Sequence, residues 1–233
     1  MKNILNHIYN GTKQRIWKII GIKMYKERSA YIARLLNELD KEFRFSALDY
    51  PERFLIDIGC GIGNLTKECS VIFDTKAIGV DLEKWFALDG KAFFIIADSC
   101  SLPFKQKSCL FVTAFSLIEH LHPNSRNGFF QEVHRVMADS GIFVIQLPNR
   151  YFPIEQHSFL PFVGYLPSRL HNMFYYSFVS VPSKKETVKE LTKNRFRIIS
   201  IVEYGIPFLG FSPKNLSSKI LPFGFIIVVK KRL

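Results

Sequence analysis

The residues best suited to chemistry form a short turn in which three glycines alternate with other residues after an acid. The chain reads Phe-Leu-Ile-Asp-Ile-Gly-Cys-Gly-Ile-Gly-Asn-Leu from position 54 to position 65, so that Asp57 precedes Gly59, Gly61 and Gly63. An apolar run that breaks into glycines and resumes as a polar-then-apolar segment predicts a strand, a tight turn and a helix start. Glycine allows positive φ and a close approach of the backbone to a ligand. We therefore expect a small-molecule site at this turn, faced by the carboxylate of Asp57.

The spacing of the glycines argues against a nicotinamide dinucleotide. That fingerprint requires G-x-G-x-x-G after the first strand. Counted from Gly59, the third glycine position falls on Asn64, and counted from Gly61 it falls on Thr66. The nicotinamide dinucleotide interpretation therefore fails from both starting glycines.

Two further acids follow strand-like stretches. Asp81 ends Ile-Gly-Val-Asp, and Asp98 ends Ile-Ala-Asp. An acid at the tip of the adjoining strand can accept hydrogen bonds from both ribose hydroxyls of a nucleoside. One aspartate at a strand end is more often a turn former. Three acids at three successive strand ends, after a glycine turn, favour a cofactor site.

Residues 50–150 resemble the class I S-adenosylmethionine-dependent methyltransferases, in the small-molecule branch related to the ubiquinone and sterol methyltransferases. The resemblance implies that the glycine turn cradles the methionine part of the cofactor S-adenosyl-L-methionine and that Asp57 holds its ammonium group, directly or through water. It further implies that Asp81 binds the ribose, and Asp98 the adenine. The implied cofactor-binding residues are Asp57, Gly59, Cys60, Gly61, Gly63, Asp81, Leu82, Asp98, Ser99 and Phe115.

Histidine residues are the candidates for proton transfer. Transfer of a methyl group from a sulfonium is an in-line displacement, and a base is needed only where the acceptor must lose a proton. His120 and His157 are the candidates; for His120 we favour a role in orienting the loop after the fourth strand, and for His157 a base and a surface residue are equally open. Arg150, Tyr151 and Glu155, in the same segment as His157, are predicted on the acceptor side.

The sequence predicts no metal site. Glu119, His120 and His122 imitate a ligand set, but no further protein ligand lies nearby in the chain to complete one. His122 precedes Pro123 and is interpreted as a helix-entry residue. The four cysteines contain no CxxC pair and are expected to be reduced, mostly buried thiols.

The alternation of strand-like and helix-like stretches predicts an α/β fold. We expect a Rossmann-like, seven-stranded, mostly parallel sheet with an antiparallel last strand and helices on both faces. Strands are predicted at 54–59, 76–81, 92–97, 109–115, 141–147, 195–204 and 223–230. Helices are predicted at 29–43, with Ser29 as N-cap, and at 64–70, 125–138 and 184–193.

We expect residues 1–233 to form a single methyltransferase domain with an N-terminal helical cap at 1–48. Two segments rich in proline and aromatic residues, 149–182 and 205–222, break the alternation of strands and helices. Long irregular segments of this kind are typically lids or binding loops. They are the predicted substrate-side insertions.

The net charge of +12 indicates an anionic partner. Nucleic acid, acidic lipid and an anionic substrate all satisfy it. Residues 1–28 are basic with interleaved apolar side chains, a pattern suited to contact with an anionic membrane surface or, as we favour, to capping the domain. The sequence shows neither a bilayer-spanning run nor a signal-peptide pattern, so a cytoplasmic location is expected, with peripheral membrane contact as an addition.

The aromatic insertions favour a small or lipid-linked hydrophobic acceptor. RNA methylation is the alternative that the charge supports, but the Asn/Asp-Pro-Pro-Tyr signature is absent after the fourth strand and no Pro-Cys pair follows the fifth. A non-catalytic module that binds the cofactor is a third reading.

Overall fold

The computed structural model describes residues 22–43, 54–72, 76–83, 92–157, 160–167, 170, 179–205 and 220–232. The strands in this part of the chain are β1 (Phe54–Ile58), β2 (Lys76–Asp81), β3 (Ala92–Ile96), β4 (Cys109–Phe115), β5 (Met137–Pro148), β6 (Phe196–Tyr204) and β7 (Gly224–Lys231). The helices are α1 (Ile22–Phe43), α2 (Asn64–Ile72), α3 (Pro123–Val136) and α4 (Lys184–Lys193), with short 3₁₀ turns at Ile118–His120 and Val163–Tyr165.

The strands form one sheet in the order β3-β2-β1-β4-β5-β7-β6. Strands β1 to β5 pair in parallel, and β7 is antiparallel to both of its neighbours, β5 and β6. Because parallel strands end at the same edge, the turns after β1, β2, β3 and β4 meet there. The predicted α/β sheet with its antiparallel last strand is confirmed.

Helices pack on both faces of the sheet. Along β1, Ile56 and Ile58 join a buried cluster that contains Phe129 of α3, whereas Leu55 joins a cluster with Ile32 of α1. Successive residues of a strand point to opposite faces, so the two clusters are the two halves of the core. The predicted covering of both faces is confirmed.

Helix α1 begins at Ile22, seven residues before the predicted start, so the expected N-cap role of Ser29 is wrong. Ser29 lies inside the helix and is buried. A serine is a moderate helix former, and burial of Ile32, Ala33 and Leu36 on the sheet outweighs its weak preference for a cap.

Two other elements begin two or more residues before their predicted starts. Helix α3 begins at Pro123 instead of 125, because His122 caps it and Pro123 occupies the first helical position. Strand β5 begins at Met137 instead of 141, since Met137 pairs with Cys109 beyond an irregularity in β4. The sequence Ala-Asp-Ser-Gly at 138–141 looks like a turn, and tertiary pairing makes it a strand.

Several predictions lie outside the described residues. These are the parts of the N-terminal cap at 1–21 and 44–48, the positions 158–159, 168–169 and 171–178 of the first insertion, and most of the insertion at 205–222. No helix in the described part of the chain has the length and hydropathy needed to cross a bilayer.

Candidate active site

The glycine turn between β1 and α2 has the conformation that its composition predicts. Gly59, Gly61 and Gly63 have φ values of +70°, +50° and +71°. A Cβ added at Gly61 would meet no heavy atom of the described residues within 4 Å. The space over Gly61 is therefore open to a ligand, while the positive φ itself disfavours other residues there.

Asp57 lies in β1 beneath this turn and is only 2% exposed. Its Oδ2 accepts a hydrogen bond from Thr66 Oγ1 and its Oδ1 accepts one from Thr113 Oγ1, both at 2.8 Å. Burial raises the pKa of Asp57 from 3.8 to about 6, although the two threonine hydroxyls oppose the shift. Sequence reasoning missed both threonines; only the pairing of Asp57 with Thr113 across β1 and β4 brings the second one into contact.

Asp81, at the end of β2, holds the glycine turn in place. Its Oδ2 accepts a hydrogen bond from the backbone N–H of Gly61 at 2.9 Å, and its Oδ1 accepts one from Leu82 N–H at 2.8 Å. Each carboxylate oxygen keeps a further acceptor position. Beyond β3, Asp98 Oδ1 accepts a hydrogen bond from Cys100 N–H at 2.8 Å. The three predicted acids thus lie along one edge of the sheet.

A cavity of about 430 Å³ opens at this edge. Of the predicted cofactor residues it is lined by Asp57, Gly59, Cys60, Gly61 and Phe115, together with both predicted proton-transfer residues, His120 and His157. Gly63, Asp81, Leu82, Asp98 and Ser99 are not part of its wall.

Helix α1 supplies a part of the cavity wall that the sequence did not indicate. Arg28 lines the cavity and is almost fully buried. Beside it, Ser116 Oγ donates to Gln146 Oε1 at 2.9 Å, and Gln146 Nε2 donates to the hydroxyl of Tyr204 at 2.6 Å. Burial raises the pKa of Tyr204 to about 12, and the charge of Arg28 opposes that shift.

The insertion after β5 folds back on itself and carries His157 to the cavity. Glu155 N–H donates to Leu160 O at 3.0 Å, and Phe162 N–H donates to Pro153 O at 2.7 Å. Gln156, next to His157, donates from Nε2 to Phe223 O at 2.6 Å, which anchors this hairpin at the start of β7.

His157 lies between two glutamates. Its Nδ1 is 2.8 Å from Glu155 Oε1, and its Nε2 is 3.9 Å from Glu119 Oε1. The ring of His120 meets that of His157 edge-on, with centroids 5.2 Å apart. Glu119 is 0% exposed, and among the described residues neither of its carboxylate oxygens has a hydrogen-bond partner.

The structure does not bring Arg150 and Tyr151 into the cavity wall. Arg150 Nε donates to Gly164 O at 3.0 Å, so this side chain organises the insertion itself. Tyr151 is exposed and packs on Tyr165 with ring centroids 5.5 Å apart. Of the three predicted acceptor-side residues, Glu155 approaches the cavity through its contact with His157.

His122 and the cysteines have the predicted structural roles. The ring of His122 accepts a hydrogen bond from Asn124 N–H at 3.3 Å and caps α3, as predicted. All four cysteines are free thiols; Cys69 and Cys109 are buried, and Cys60 and Cys100 are partly buried.

Comparison with known proteins identifies the central part of the chain. Residues 56–145 match the methyltransferase domain family. An uncharacterised protein of Methanocaldococcus jannaschii is 29% identical over 57% of this chain and 53% of its own length. The sterol 24-C-methyltransferase of Pneumocystis carinii is 26% identical over 38% of this chain and 26% of its own length. The chain therefore spans about half, or less, of the length of these curated relatives.

Solved structures share the whole fold. An S-adenosylmethionine-dependent methyltransferase from Clostridium acetobutylicum superposes with a TM-score of 0.64 at 15% identity, covering 96% of this chain and 99% of that one. The geranyl diphosphate C-methyltransferase of Streptomyces coelicolor, crystallised with Mg²⁺, geranyl diphosphate and S-adenosyl-L-homocysteine, gives 0.55 at 17% identity, covering 86% and 82%.

Residues 56–145 thus match the methyltransferase domain family, and the chain has the fold of a solved S-adenosylmethionine-dependent methyltransferase. The predicted resemblance to S-adenosylmethionine-dependent methyltransferases is confirmed by the family match and by the shared fold. The residues present suit that cofactor, because the space over Gly61 is open and a carboxylate lines the same cavity to face its cationic methionine part.

Proposed function

We propose that the protein transfers a methyl group from S-adenosyl-L-methionine to a small or lipid-linked hydrophobic acceptor by in-line displacement. The observation that carries this proposal is the aromatic insertion, which completes the cavity wall with Gln156 and His157. The same insertion exposes the packed aromatic rings of Tyr151, Phe162 and Tyr165. A cavity of about 430 Å³ is in the usual size range for small-molecule sites.

The residues of the turn and the strand ends are proposed to hold the cofactor. Gly59, Gly61 and Gly63 give the backbone its close approach, and Asp57 faces the ammonium group. Asp81, whose oxygens keep free acceptor positions, suits the ribose hydroxyls. Asp98, with the backbone of Ser99, suits the adenine.

The chain promotes the reaction by positioning. When bound, the cofactor supplies an electrophilic methyl group on a sulfonium. Holding donor and acceptor in line contributes on the order of 7 to 11 kcal/mol of barrier reduction. His120 and His157 lie together on one wall of the cavity, where an unprotonated imidazole can take a proton from a protic acceptor. Glu155 fixes the ring of His157 with Nε2 on the side of Glu119.

The charge of the chain suits an acceptor with an anionic group. Geranyl diphosphate, named for the Streptomyces enzyme, combines an apolar chain with an anionic head. A net charge of +12 would attract such a molecule, or the anionic membrane that holds a lipid-linked one. We propose a cytoplasmic protein with peripheral membrane contact through its basic N-terminal residues.

Calorimetry with S-adenosyl-L-methionine tests the cofactor part of the proposal. We expect Gly61→Ala to weaken binding at least tenfold, because its Cβ would project into the open space over the turn. Asp81→Ala should also weaken binding. Asp139→Ala is the control, since Asp139 pairs with Lys107 at the start of β5, away from the turn. Equal affinity in all four proteins would contradict the assigned cradle.

The acceptor class is tested by transfer of a labelled methyl group. Lipid extract and mixed RNA are offered separately, and label is expected in the lipid fraction. Label found only in RNA would overturn the hydrophobic acceptor and support the RNA alternative. Cofactor binding with no transfer to any fraction, together with no co-purifying apolar molecule by mass spectrometry, would favour the non-catalytic reading.

A further inference from the structure

We infer that Glu119, His120 and His157 bind a divalent first-row transition-metal ion at the acceptor side of the cavity. The role of the ion in acceptor binding rests on the proposed function, whereas its binding does not. No metal was predicted from the sequence, because no further ligand follows Glu119, His120 and His122 nearby in the chain. The folded insertion supplies that ligand as His157.

The three side chains form a compact donor set. One ligand atom from each lies within 4.8 Å of the others, and His157 Nε2 is 3.9 Å from Glu119 Oε1. Ligands bound to zinc at about 2.0 to 2.2 Å are roughly 3.3 Å apart. Small side-chain rotations would therefore close the set around an ion.

The burial of Glu119 provides an independent reason for a cation. The side chain is fully buried and lines the cavity, and within the described residues its carboxylate meets no hydrogen-bond donor. Arg126 makes no hydrogen bond to it, because its guanidinium donates to the backbone oxygens of Ile118 and Ser180, although its charge acts on Glu119 from a distance. Burying a carboxylate that accepts no hydrogen bond is unfavourable, and a directly bound cation reduces that penalty.

His157 has the arrangement of a metal-binding histidine. Such residues usually donate the second ring N–H to a carboxylate, which fixes the tautomer and directs the other nitrogen at the metal. Glu155 Oε1 lies 2.8 Å from Nδ1 of His157 and leaves Nε2 on the side of Glu119. The backbone of Glu119 is also held, since its carbonyl accepts a hydrogen bond from Ser180 N–H at 2.7 Å.

The donor set of two imidazoles and one carboxylate indicates which metal ions the site would prefer. Imidazole suits zinc, iron, nickel and copper better than magnesium or calcium. Three protein ligands leave at least one coordination position open, as in catalytic zinc sites. That position would face the cavity and take an oxygen atom of the acceptor, so we infer an acceptor with a hydroxyl, carboxylate or phosphate oxygen near the methylated atom.

Titration of the full-length, untagged protein with Zn²⁺ after chelator treatment tests the site. We expect one equivalent to bind, and Glu119→Gln and His157→Ala each to weaken the affinity at least tenfold. Glu155→Gln should weaken it 10- to 100-fold by loosening His157. His122→Ala is the matched control, because His122 is close in sequence but lies outside the cluster. Substituting Co²⁺ should give a visible absorption band that His157→Ala removes.

Failure of the metal site and failure of the proposed function give different results. Absence of Zn²⁺ binding, or equal affinity in the Glu119→Gln and His157→Ala proteins, overturns the metal site even where S-adenosyl-L-methionine still binds. Stoichiometric Zn²⁺ binding without cofactor binding would overturn the proposed function and leave the metal site standing. If Glu119→Gln does not fold, His120→Ala replaces it, since the side chain of His120 is exposed.

Discussion

Asp57 is a carboxyl group whose charge state depends on the cavity it lines. Two threonine hydroxyls donate to it, yet burial still raises its pKa to about 6. In the free protein, a proton on Asp57 therefore relieves part of the burial penalty. A cationic ligand would favour the ionised form instead, so ligand binding and protonation of Asp57 should oppose each other.

Asp57→Asn is expected to change how stability depends on pH. The pKa of Asp57 is higher in the folded than in the unfolded protein. The Asp57 carboxyl therefore adds its full share to the free energy of unfolding below about pH 4, and this share is lost as the pH rises through about 6. A rise from 3.8 to about 6 corresponds to roughly 3 kcal/mol. In urea unfolding from pH 4.5 to 8, the free energy of unfolding of the wild type should therefore fall relative to that of Asp57→Asn by an amount of this order.

Asp139→Asn is the control for that measurement. Lys107 lowers the pKa of Asp139, so its contribution is present above the unfolded pKa and is lost as pH falls. Both the folded and the unfolded pKa of Asp139 lie below pH 4, so the difference between wild type and Asp139→Asn should stay nearly constant from pH 4.5 to 8. A constant difference between wild type and Asp57→Asn across the pH range would contradict the raised pKa of Asp57.

At the scale of elements, a polar chain joins the ends of β4, β5 and β6. It runs from Ser116 through Gln146 to Tyr204. Strand β7 lies between β5 and β6, and the hydroxyl of Tyr204 occupies the place where a Cβ of Gly224 would be. The glycine in β7 thus lets the tyrosine reach across one strand, next to the cavity residue Arg28.

Tyr204→Phe should destabilise the fold by about 1 to 3 kcal/mol, because it removes the buried acceptor of Gln146 Nε2. Chemical denaturation measures the change. Tyr151→Phe is the control, since Tyr151 is exposed in the insertion and should change stability by less than about 0.5 kcal/mol. Equal stability of the two variants would show that the polar chain contributes nothing to the closing strands.

At the scale of the whole molecule, the basic N-terminal segment directly precedes, in the sequence, the helix that contributes Arg28 to the cavity. Residues 1–21 lie outside the described part of the chain, but α1 begins at Ile22 and places Arg28 in the cavity wall. The proposed membrane contact of the N-terminal residues is therefore followed in the sequence by a helix that lines the cavity. Because the net charge of the chain is +12, its electrostatic interaction with an anionic membrane is attractive.

Co-sedimentation with anionic vesicles tests this connection. The full chain is expected to bind vesicles that contain acidic lipid and to show no binding to neutral vesicles. Its binding should weaken as the salt concentration increases. Deletion of residues 1–21 should abolish binding and leave α1 intact. Binding retained after the deletion would place the membrane contact elsewhere, and a salt-dependent shift with RNA but none with vesicles would favour nucleic acid.

The sequence alone determined the features that short segments encode. The glycines after β1 determine the turn, since positive φ is a local property of those residues. The periodicity of apolar residues determines the succession of strands and helices, and parallel strand ends place Asp57, Asp81 and Asp98 at one edge. These features were enough to predict the fold and the cofactor.

The tertiary structure decided what depends on contacts between distant segments. Strand pairing extended β5 back to Met137, and packing on the sheet placed Ser29 within α1. No local pattern could predict that Arg28 would enter the cavity, or that an irregular insertion would bring His157 to Glu119. Such contacts form only when distant apolar surfaces are buried together, so the sequence predicted the fold and the cofactor, and the folded chain brought Arg28 and His157 into the cavity wall.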